Sequence, residues 1–595
     1  MYINTMVFTN GQIARKLREV AAAYTIKKAH SISSGQGNIF QIRAYETAAD
    51  VIECSTSEIH DLWEEGRLDQ IPGVGESLRD HLEELFKTGK VDHWEEVKKG
   101  IPKVIFELLD VPGIGPKTAL KLSKLGVRSV NDLENQLKSK ALIKKGFSEK
   151  LAQRMEDVFR KTLPQIKSGR ILLPYAFTQA EKIINYLKDQ SAVERIDVLG
   201  SLRRMVVTVG DLDFAVASRE PSKVVEKIVS MPGVSRVVDK GETKVTVNLS
   251  SGLQVDFVIL KPHSYGSLLQ YFTGSKMHNI HLRTIAEKMG LSLSEYGVKN
   301  VKTGRVHPTP TEEEFYKLLK MDVPPPELRE DRGEIEAALG HQLPHLVELK
   351  DMKGDLHVHS NFPLEPSHDL GADDVRKIIE VAADLGYEYI GISDHQPSAA
   401  NHSPKQVVEL IEKRSRLIDQ INYSYKNIRV LNLLEVDILP DGSFSVPDEG
   451  LKLLDFAVLG VHSAHHQPKA QMTKRLLKAL ANPYVKVLAH PTNRLLNERE
   501  ASEVDWPEIF KFAAAGGKAL EINAYPNRLD LPDDLAREAK SLGVKLVIST
   551  DSHEALALKN MFFGVSVARR GWLTKDDIIN SWEWTRFAKW FNIRT

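Results

Sequence analysis

The chain has 595 residues, so it is too long for a single hydrophobic core and should form several domains. Its 80 basic and 80 acidic residues balance, which excludes bulk positive charge as a source of nucleic-acid affinity. The single cysteine, Cys54, excludes an internal disulfide and fits a reducing compartment. No apolar run reaches the length of a membrane span and no signal-peptide pattern is present, so we expect a cytoplasmic location and no membrane partner.

Helical patterns dominate residues 10–169, where a short repeat interrupts them. The repeat reads Ile71-Pro-Gly-Val-Gly75 and Val111-Pro-Gly-Ile-Gly115, and each copy precedes a helical segment. A glycine turn at a helix N-terminus presents backbone N–H groups to a phosphate oxygen whatever the base sequence. Ordinary helix–turn–helix connections are the alternative, but two copies with Pro before Gly-x-Gly favour phosphate binding.

These turns resemble helix-hairpin-helix motifs, which implies sequence-independent contacts to the DNA backbone. The residues expected to make these contacts are the turn glycines, and nearby lysines would add positive charge. The candidates are Gly73, Gly75, Gly113 and Gly115, with Lys117, Lys121 and Lys124 beside the second turn.

A strand-rich region follows, with strands predicted at 193–199, 211–217, 244–249 and 254–260. Side chains alternate along a strand, so Asp211 and Asp213 point to the same face. Asp256 lies on a neighbouring predicted strand. Three carboxylates placed in this way would hold two divalent cations, which can clamp the attacking and leaving oxygens of a phosphoryl transfer.

The acids follow Gly200-Ser201 by ten residues, and the whole resembles the nucleotidyltransferase superfamily signature. Gly200 would let the backbone approach a triphosphate, Ser201 would donate a hydrogen bond to it, and Arg204 would pair with its charge. The further segment Gln270-Tyr-Phe-Thr-Gly-Ser-Lys-Met-His-Asn279 resembles family X DNA polymerases, and the likeness covers residues 10–320.

This resemblance implies that Asp211, Asp213 and Asp256 are the catalytic residues and bind two Mg²⁺ or Mn²⁺ ions. It also assigns positions around the incoming nucleotide and the DNA. Tyr271, Phe272 and Gly274 would pack against the sugar and exclude a 2′-hydroxyl, Asn279 would contact the minor groove, and Arg283 would contact the template. Plain core packing is the alternative for Tyr271 and Phe272.

The N-terminal region departs from the family at one position. Related proteins carry a lysine after the first hairpin that forms a Schiff base with an abasic sugar, a reaction that requires a primary amine. Here His81 stands at that position and Ser77 lies one turn earlier, while Lys87 and Lys90 lie further along. We therefore expect weak or absent sugar-phosphate lyase activity.

The Pro- and charge-rich residues 322–351 are predicted to be an interdomain linker. Beyond them, histidines and acids follow short apolar runs, as ligands do at the C-terminal ends of parallel strands in an α/β barrel. Imidazoles mixed with carboxylates suit Zn²⁺, Mn²⁺ or iron. The candidate ligands are His357, His359, His395, Glu435, His462, His490, Asp551 and His553, with Asp355 and Asp394 beside them.

This set resembles the PHP (polymerase and histidinol phosphatase) domain, which implies a distorted α/β barrel that binds up to three metals and hydrolyses phosphoesters. The family places an acidic ligand a few residues after the position of His359, but Asn361-Phe-Pro-Leu364 stands here. Asp369, within Ser367-His368-Asp369, is the candidate replacement after a short insertion.

The sequence thus predicts a multidomain protein that combines an α-helical N-terminal part, an α+β nucleotidyltransferase palm and a PHP barrel. The predicted domains are 1–95 and 96–170 (helix-hairpin-helix), 171–261 (palm), 262–321 (nucleotide-closing subdomain), 322–351 (linker) and 352–595 (PHP).

The predicted function is gap filling in base excision repair, with DNA-end processing by the PHP half as a 3′→5′ exonuclease, 3′-phosphatase or abasic-site endonuclease. Gapped or primed DNA and deoxynucleoside triphosphates are the expected partners of a monomer. The alternatives are a small-molecule phosphatase on a DNA-binding scaffold and a nucleotidyltransferase acting on RNA or small molecules.

Overall fold

The computed structural model describes residues 10–28, 37–53, 74–109, 114–129, 139–148, 170–366 and 368–593, with a few isolated positions between 59 and 152. The chain divides into two units, residues 1–167 with 228–256, and residues 168–227 with 257–595. Among the described residues, no helix has the length and hydrophobicity that crossing a bilayer requires.

The N-terminal part of the first unit is helical, as predicted. Its helices α1–α7 are Asn10–Lys28, Gly37–Glu53, Glu76–Thr88, Asp92–Lys98, Lys103–Leu109, Pro116–Lys124 and Ala141–Lys144. Gly75 and Gly115 are the N-cap residues of α3 and α6, and Pro116 occupies the first turn of α6, where no intrahelical N–H is needed. Apolar faces of these helices pack into two buried clusters, one around Leu82 and Trp94 and the other around Leu108 and Leu122.

The palm elements follow in the order β1 Ile171–Leu172, α8 Leu173–Lys188, β2 Arg195–Val198, α9 Gly200–Arg203, β3 Thr208–Val209, β4 Leu212–Ala217, α10 Pro221–Val229, β5 Val234–Lys240, β6 Lys244–Leu249 and β7 Gln254–Leu260. All four strands predicted here are present. Strand β4 pairs antiparallel with β2, and β5 pairs antiparallel with β6. The five-stranded sheet has the order β2-β4-β7-β6-β5, and the division between the units falls within β7.

A smaller subdomain continues from the palm. It contains α11 Tyr265–Thr273, α12 Lys276–Lys288, β8 Leu291–Ser294, β9 Gly297–Asn300, β10 Val306–His307 and α13 Glu312–Leu318. Ser275 caps α12 by accepting the N–H of His278. The three short strands form an antiparallel sheet with β9 in the centre.

Residues 322–351 pack against this subdomain through paired charges. They contain the helix α14, Glu334–Leu339, and the buried guanidinium of Arg329 donates to Glu312 at 2.6 Å. Glu312 also accepts from Arg203, which belongs to the palm, at 2.5 Å. The buried side chains of His278 and Glu334 form a second pair at 2.6 Å. Two charged residues of the predicted interdomain linker, Arg329 and Glu334, are therefore paired inside the fold.

Residues 354–549 supply seven parallel strands in sequential order. They are β11 Gly354–Val358, β12 Tyr389–Ile392, β13 Arg429–Asp437, β14 Phe456–Gly460, β15 Val485–Leu488, β16 Ala519–Asn523 and β17 Lys545–Ser549. A parallel bridge between Val358 and Ser552 joins the first strand to the last, so the barrel is nearly closed. Nearly all strand residues are buried, as expected for parallel strands whose outer faces are covered by helices. The predicted barrel is confirmed.

The helices of this region are α15 Val375–Asp384, α16 Pro404–Ser424, α17 Asp448–Leu451, α18 Lys469–Leu480, α19 Trp506–Gly516, α20 Asp533–Ser541, α21 Met561–Arg570 and α22 Trp584–Phe591. Helix α22 packs its rings against residues that begin barrel strands: Phe587 lies 4.1 Å from Tyr389 and Phe591 4.3 Å from Phe456 between ring centroids. This aromatic layer covers the N-terminal ends of the strands and leaves the opposite ends for a site.

Two candidate metal centres

The predicted acids of the palm lie around the start of β4 and the middle of β7. Asp211 precedes β4, Asp213 is its second residue, and Asp256 is the third residue of β7. The residues that follow the last two acids, Phe214 and Phe257, stack with ring centroids 5.2 Å apart. Each acid offers one carboxylate oxygen to a group in which these atoms lie within 4.8 Å of one another.

Asp256 is the most buried of the three acids. Its two carboxylate oxygens accept hydrogen bonds from Thr246 Oγ1 at 2.5 Å and from Gln254 Nε2 at 2.8 Å. Burial raises the pKa of Asp256, and these two hydrogen bonds and Lys244 offset part of that rise. A buried carboxylate with its pKa raised in this way is a site that a divalent cation would stabilise in the charged form. The donor set of carboxylates alone fits Mg²⁺ or Mn²⁺.

Gly200 begins α9 directly beside Asp213. Its φ of +55° is in the left-handed region, and a Cβ at this position would lie 2.5 Å from Asp213 Oδ2. Glycine is therefore required both for the backbone conformation and for the close approach of the carboxylate. Ser201 follows within the same turn of helix, partly buried.

Arg204 ends this turn with its side chain held on two sides. Its Nε donates to Glu330 at 3.0 Å and its Nη1 donates to the carbonyl of Thr273 at 2.6 Å. Gly274, whose φ is +65°, lies so close that a Cβ there would approach Arg204 Nη1 to 3.3 Å. Arg170, which sequence reasoning missed, lies near enough for Asp211 to raise its pKa, although burial lowers that pKa more.

The aromatic pair and Asn279 occupy the junction of α11 and α12. The Tyr271 and Phe272 rings meet edge to face at 5.1 Å, and Phe272 also packs against the core of the palm. The Asn279 amide donates to the carbonyl of Tyr271 at 2.7 Å and accepts from Gln270 at 2.8 Å. Both ends of this side chain are thus hydrogen-bonded within the protein. Arg283 lies one turn further, and its Nε donates to the Asn279 carbonyl at 3.3 Å.

The glycine turns are described only in part. Gly75 and Gly115 have extended backbone and open space where a Cβ would stand, whereas Gly73 and Gly113 lie outside the described residues. His81 lies in α3 among aromatic side chains: its Nδ1 is 3.2 Å from the Tyr45 hydroxyl, and its ring stacks on His93 at 5.1 Å. Burial, followed by the charge of His93, lowers the pKa of His81.

The eight predicted ligands of the barrel all lie at the C-terminal ends of its strands. The ring nitrogens and carboxylates meet within a few ångströms: His490 Nε2 and His462 Nε2 lie 2.8 and 3.2 Å from Glu435 Oε1. His395 Nδ1 lies 3.0 Å from Glu435 Oε2. The nearly closed barrel brings His359 Nε2 to 3.1 Å from Asp551 Oδ1, joining the first strand to the last.

Overlapping groups of possible ligands share these residues. In each group one ligand atom per residue lies within 4.8 Å of the others. The groups are His359–His395–His553, His357–His359–Asp551, His395–Glu435–His462 and His368–Asp437–His462.

The unsatisfied polar atoms of this site fit a metal cluster. Burial raises the pKa of Glu435, but the charges of His357, His462 and His395 more than reverse this, and the pKa lies well below its usual range. Among the described residues of the barrel, several buried nitrogens and one carboxylate oxygen make no hydrogen bond of good geometry, which is costly unless a cation binds them. These atoms are His357 Nε2, His359 Nδ1, His395 Nδ1, Glu435 Oε2, His490 Nδ1 and His553 Nε2.

Asp369, the candidate replacement ligand, lies beside the same cluster. Its carboxylate oxygens lie 3.6 Å from His395 Nε2 and 3.5 Å from His553 Nε2. An acid from this segment therefore lies beside two of the predicted ligands. Ser367, the first residue of the motif, lies outside the described residues.

Two acids that sequence reasoning missed orient the histidines. Glu521, buried in β16, accepts from His357 Nδ1 at 2.9 Å, and Asp437, the last residue of β13, accepts from His462 Nδ1 at 2.8 Å. A carboxylate on the far nitrogen fixes the ring and its tautomer for metal binding. Glu521 lies in the middle of the segment Ala519-Leu-Glu-Ile-Asn523. An acid inside a short apolar run was the feature of the sequence that could have identified it.

Asp355 and Asp394 bind protein groups around the site. Asp355 is fully buried and accepts from the Thr550 hydroxyl at 2.6 Å, and burial raises its pKa to about 7 despite that hydrogen bond. Asp394 forms a buried ion pair with Arg414 at 2.6 Å.

A cavity of about 320 Å³ opens over this cluster. Tyr525, Asn527, Arg528 and Leu495 line it together with the ligand candidates. Arg528 Nε lies 3.5 Å from Asp551 Oδ2, so a guanidinium borders the cavity beside the candidate ligands. Sequence reasoning missed Arg528 because it follows a strand that carries no predicted ligand.

The chain is similar to known protein families and to known full-length proteins. Three family models match it: a helix-hairpin-helix domain over residues 8–91, a SAM-like helix-hairpin-helix tandem over residues 105–161 and the DNA polymerase beta thumb over residues 268–330.

Full-length proteins extend the match. DNA polymerase/3′-5′ exonuclease PolX of Bacillus subtilis is 34% identical over 555 residues, which are 91% of this chain and 94% of that protein. DNA polymerase lambda of Rattus norvegicus is 24% identical over 349 residues, 52% of this chain and 54% of that protein. A probable phosphatase of Acetivibrio thermocellus is 29% identical over 188 residues, 30% of this chain and 72% of that protein. The chain therefore belongs to the PolX-type family X DNA polymerases.

Proposed function

We propose that the chain extends a DNA primer in short gaps with deoxynucleoside triphosphates and that its PHP barrel trims or repairs DNA ends by phosphoester hydrolysis. The grouping of Asp211, Asp213 and Asp256 carries the proposal of DNA synthesis. Carboxylate oxygens within 4.8 Å of one another repel, and divalent cations bound between them would remove this repulsion. The similarity to the Bacillus polymerase and exonuclease supports both halves.

In the palm, the three acids would hold two Mg²⁺ or Mn²⁺ ions, which supply charge stabilisation for the attack of the primer 3′-hydroxyl on the α-phosphate. The N-terminus of α9, with Ser201, would contact the triphosphate, and Arg204 would neutralise part of its charge. Tyr271 and Phe272 would lie against the sugar of the incoming nucleotide. For Asn279 to reach the minor groove, its amide must exchange the two internal hydrogen bonds described above.

In the barrel, the eight predicted ligands and Asp369 would hold up to three Zn²⁺, Mn²⁺ or iron ions, which polarise a phosphoester and activate water. Glu521 and Asp437 would keep His357 and His462 in the ligating tautomer, and Arg528 would bind a nonbridging phosphate oxygen. Of the three end-processing reactions, the 3′→5′ exonuclease is favoured by the name of the Bacillus relative.

The remaining features of the proposal concern DNA, oligomeric state and location. The hairpin glycines, including Gly75 and Gly115, would bind backbone phosphates on either side of a gap. We further propose a monomer, since one DNA end offers one substrate, and a cytoplasmic location, which suits a chain whose only thiol is Cys54.

Two variants separate the two activities. Asp256→Ala should abolish gap filling and leave 3′-end degradation intact, whereas His490→Ala should abolish degradation and leave gap filling intact. Both full-length proteins are assayed on a gapped duplex and on a 3′-labelled primer, in Mg²⁺ and in Mn²⁺. Gap filling by Asp256→Ala at the wild-type rate would leave the acids without the proposed role. Absence of gap filling in the wild type, with phosphoester hydrolysis intact, would favour the phosphatase-on-a-scaffold alternative. Extension with ribonucleotides as efficient as with deoxynucleotides would favour the RNA alternative.

The lyase expectation is tested separately. Lys87 pairs with Glu83 at 2.6 Å and Lys90 with Asp92 at 2.8 Å, both on the protein surface. We expect little or no borohydride-trapped adduct with a 5′-abasic end in the wild type. Strong trapping in the wild type contradicts the assignment of His81 to the lysine position.

A further inference from the structure

The nucleotide site of the palm is linked to the PHP barrel through one shared carboxylate. Glu330 Oε1 accepts from Arg204 Nε at 3.0 Å and from Arg570 Nη1, in helix α21, also at 3.0 Å. Arg570 Nη1 additionally donates to the backbone carbonyl of Arg204 at 2.7 Å. The barrel thus touches both the main chain and, through Glu330, the side chain of Arg204.

These contacts are shielded from solvent. The exposed fractions of the side chains are 15% for Arg204, 19% for Glu330 and 6% for Arg570. Partly buried, charge-assisted hydrogen bonds of this kind are stronger than those exposed to water, because the local dielectric constant is lower. With Nε bound to Glu330 and Nη1 bound to the Thr273 carbonyl, the plane of the Arg204 guanidinium is fixed before any nucleotide arrives.

Glu330 is shared between two arginines, so its negative charge does not neutralise Arg204 alone. Arg570 shares that carboxylate, and its Nη2 pairs with Asp533 at 3.2 Å, which also pairs with Arg332 at 3.3 Å. Three guanidinium groups therefore share two carboxylates, so one positive charge is left over in the network. A triphosphate that approaches Arg204 meets a cation that is oriented but not cancelled.

We propose that Arg570 and Glu330 are positioning residues for Arg204, so that the PHP barrel completes the triphosphate-binding site of the polymerase half. This inference rests on the proposed contact between Arg204 and the triphosphate. It assigns the barrel a part in DNA synthesis that is independent of its own metal cluster.

The chain provides a matched control one residue away. Arg569, in the same helix, donates to Glu327 at 2.7 Å and to the Val347 carbonyl at 3.2 Å. This pair also joins the barrel to residues 322–351, but neither Arg569 nor Glu327 is hydrogen-bonded to Arg204 in the part of the chain that the structure describes. Loss of Arg569 weakens the attachment of α21, whereas loss of Arg570 also releases Glu330 and Arg204.

The test measures KM for the incoming deoxynucleotide and kcat in single-nucleotide gap filling, with full-length Arg570→Gln, Glu330→Gln, Arg569→Gln and Arg204→Gln. We expect Arg570→Gln and Glu330→Gln to raise KM about tenfold, the effect of losing one charge-assisted hydrogen bond, with kcat changed less than about twofold. Arg569→Gln should leave both within about twofold. Combining Arg204→Gln with Arg570→Gln should raise KM no further than Arg204→Gln alone, since both act through one group.

The other possible results of these measurements also decide between explanations. An unchanged KM in both Arg570→Gln and Glu330→Gln overturns the inference, as does an equal rise in Arg569→Gln, which would reflect attachment of the helix in general. If Arg570→Gln fails to fold, Glu330→Gln, which keeps the shape of the side chain, decides the question. An unchanged KM in Arg204→Gln instead removes the proposed triphosphate contact itself. Hydrolysis of a 3′ end by the barrel, measured on the same preparations, should be equal in all four variants.

Discussion

Gly200→Ala gives the sharpest test of the palm geometry, because two separate penalties meet at that residue. The added methyl group would lie 2.5 Å from Asp213 Oδ2, so the oxygen must retreat by about 0.9 Å to reach the 3.4 Å of an ordinary van der Waals contact. A displacement of about 1 Å in a reacting group reduces the rate about 100-fold. The positive φ adds a loss of about 1–2 kcal/mol in the free energy of unfolding.

The two penalties are separated by a control and two assays. Gly543→Ala places a methyl group at φ +82° with nothing within 4 Å, so it carries the backbone penalty alone. Single-turnover gap filling should fall about 100-fold in Gly200→Ala and stay unchanged in Gly543→Ala, while urea denaturation should show a similar loss of stability in both. Gap filling by Gly200→Ala at the wild-type rate would refute the argument that Asp213 is held against this glycine for catalysis.

Three further predictions follow from buried charges. Glu521→Gln should weaken the metal affinity of the barrel about 10- to 100-fold, because His357 loses its orienting carboxylate, and titration of hydrolysis with Mn²⁺ after chelation measures this. Arg414→Met should cost about 3–5 kcal/mol in urea denaturation, because Asp394 is left buried and unpaired. Burial raises the pKa of Glu312, but the two flanking arginines lower it overall to about 2. Its stabilisation is therefore present above its ordinary pKa of 4.5 and lost towards pH 2, so the stability difference between wild type and Glu312→Gln should shrink by about 3 kcal/mol over that range.

The controls for these variants are exposed or conservative. Arg416→Met, two residues from Arg414 and paired with an exposed glutamate of the same helix, should change stability by less than about 0.5 kcal/mol. Gap filling is the internal control for Glu521→Gln and should be unaffected. A metal affinity equal to the wild type in Glu521→Gln, or a pH-independent difference for Glu312→Gln, would contradict the respective argument.

The fold could be predicted where a local residue pattern also fixes the place of a residue in the fold. The barrel followed from apolar runs that end in histidines or acids, because a ligand at the C-terminal end of one parallel strand lies beside that of the next. The palm strands followed from their β-rich composition. Strand β16 escaped notice because it carries no histidine, although Glu521 lies within it.

Pairings between distant residues were beyond the sequence. Residues 322–351 have the composition of a linker, and only the fold reveals that Arg329 is matched by Glu312 and Glu334 by His278. The same holds for Glu330, whose carboxylate serves arginines 126 and 240 positions away. The separation of such partners depends on topology, which a pattern of residue types does not encode.

The bridge between Val358 and Ser552 has a consequence for how the protein matures. Because the first and last strands supply ligands to one group, no nascent fragment that ends before Asp551 can present the whole cluster. The full set of cations should therefore bind only after synthesis of the barrel is complete. A chain truncated before Asp551 should fail to retain metal.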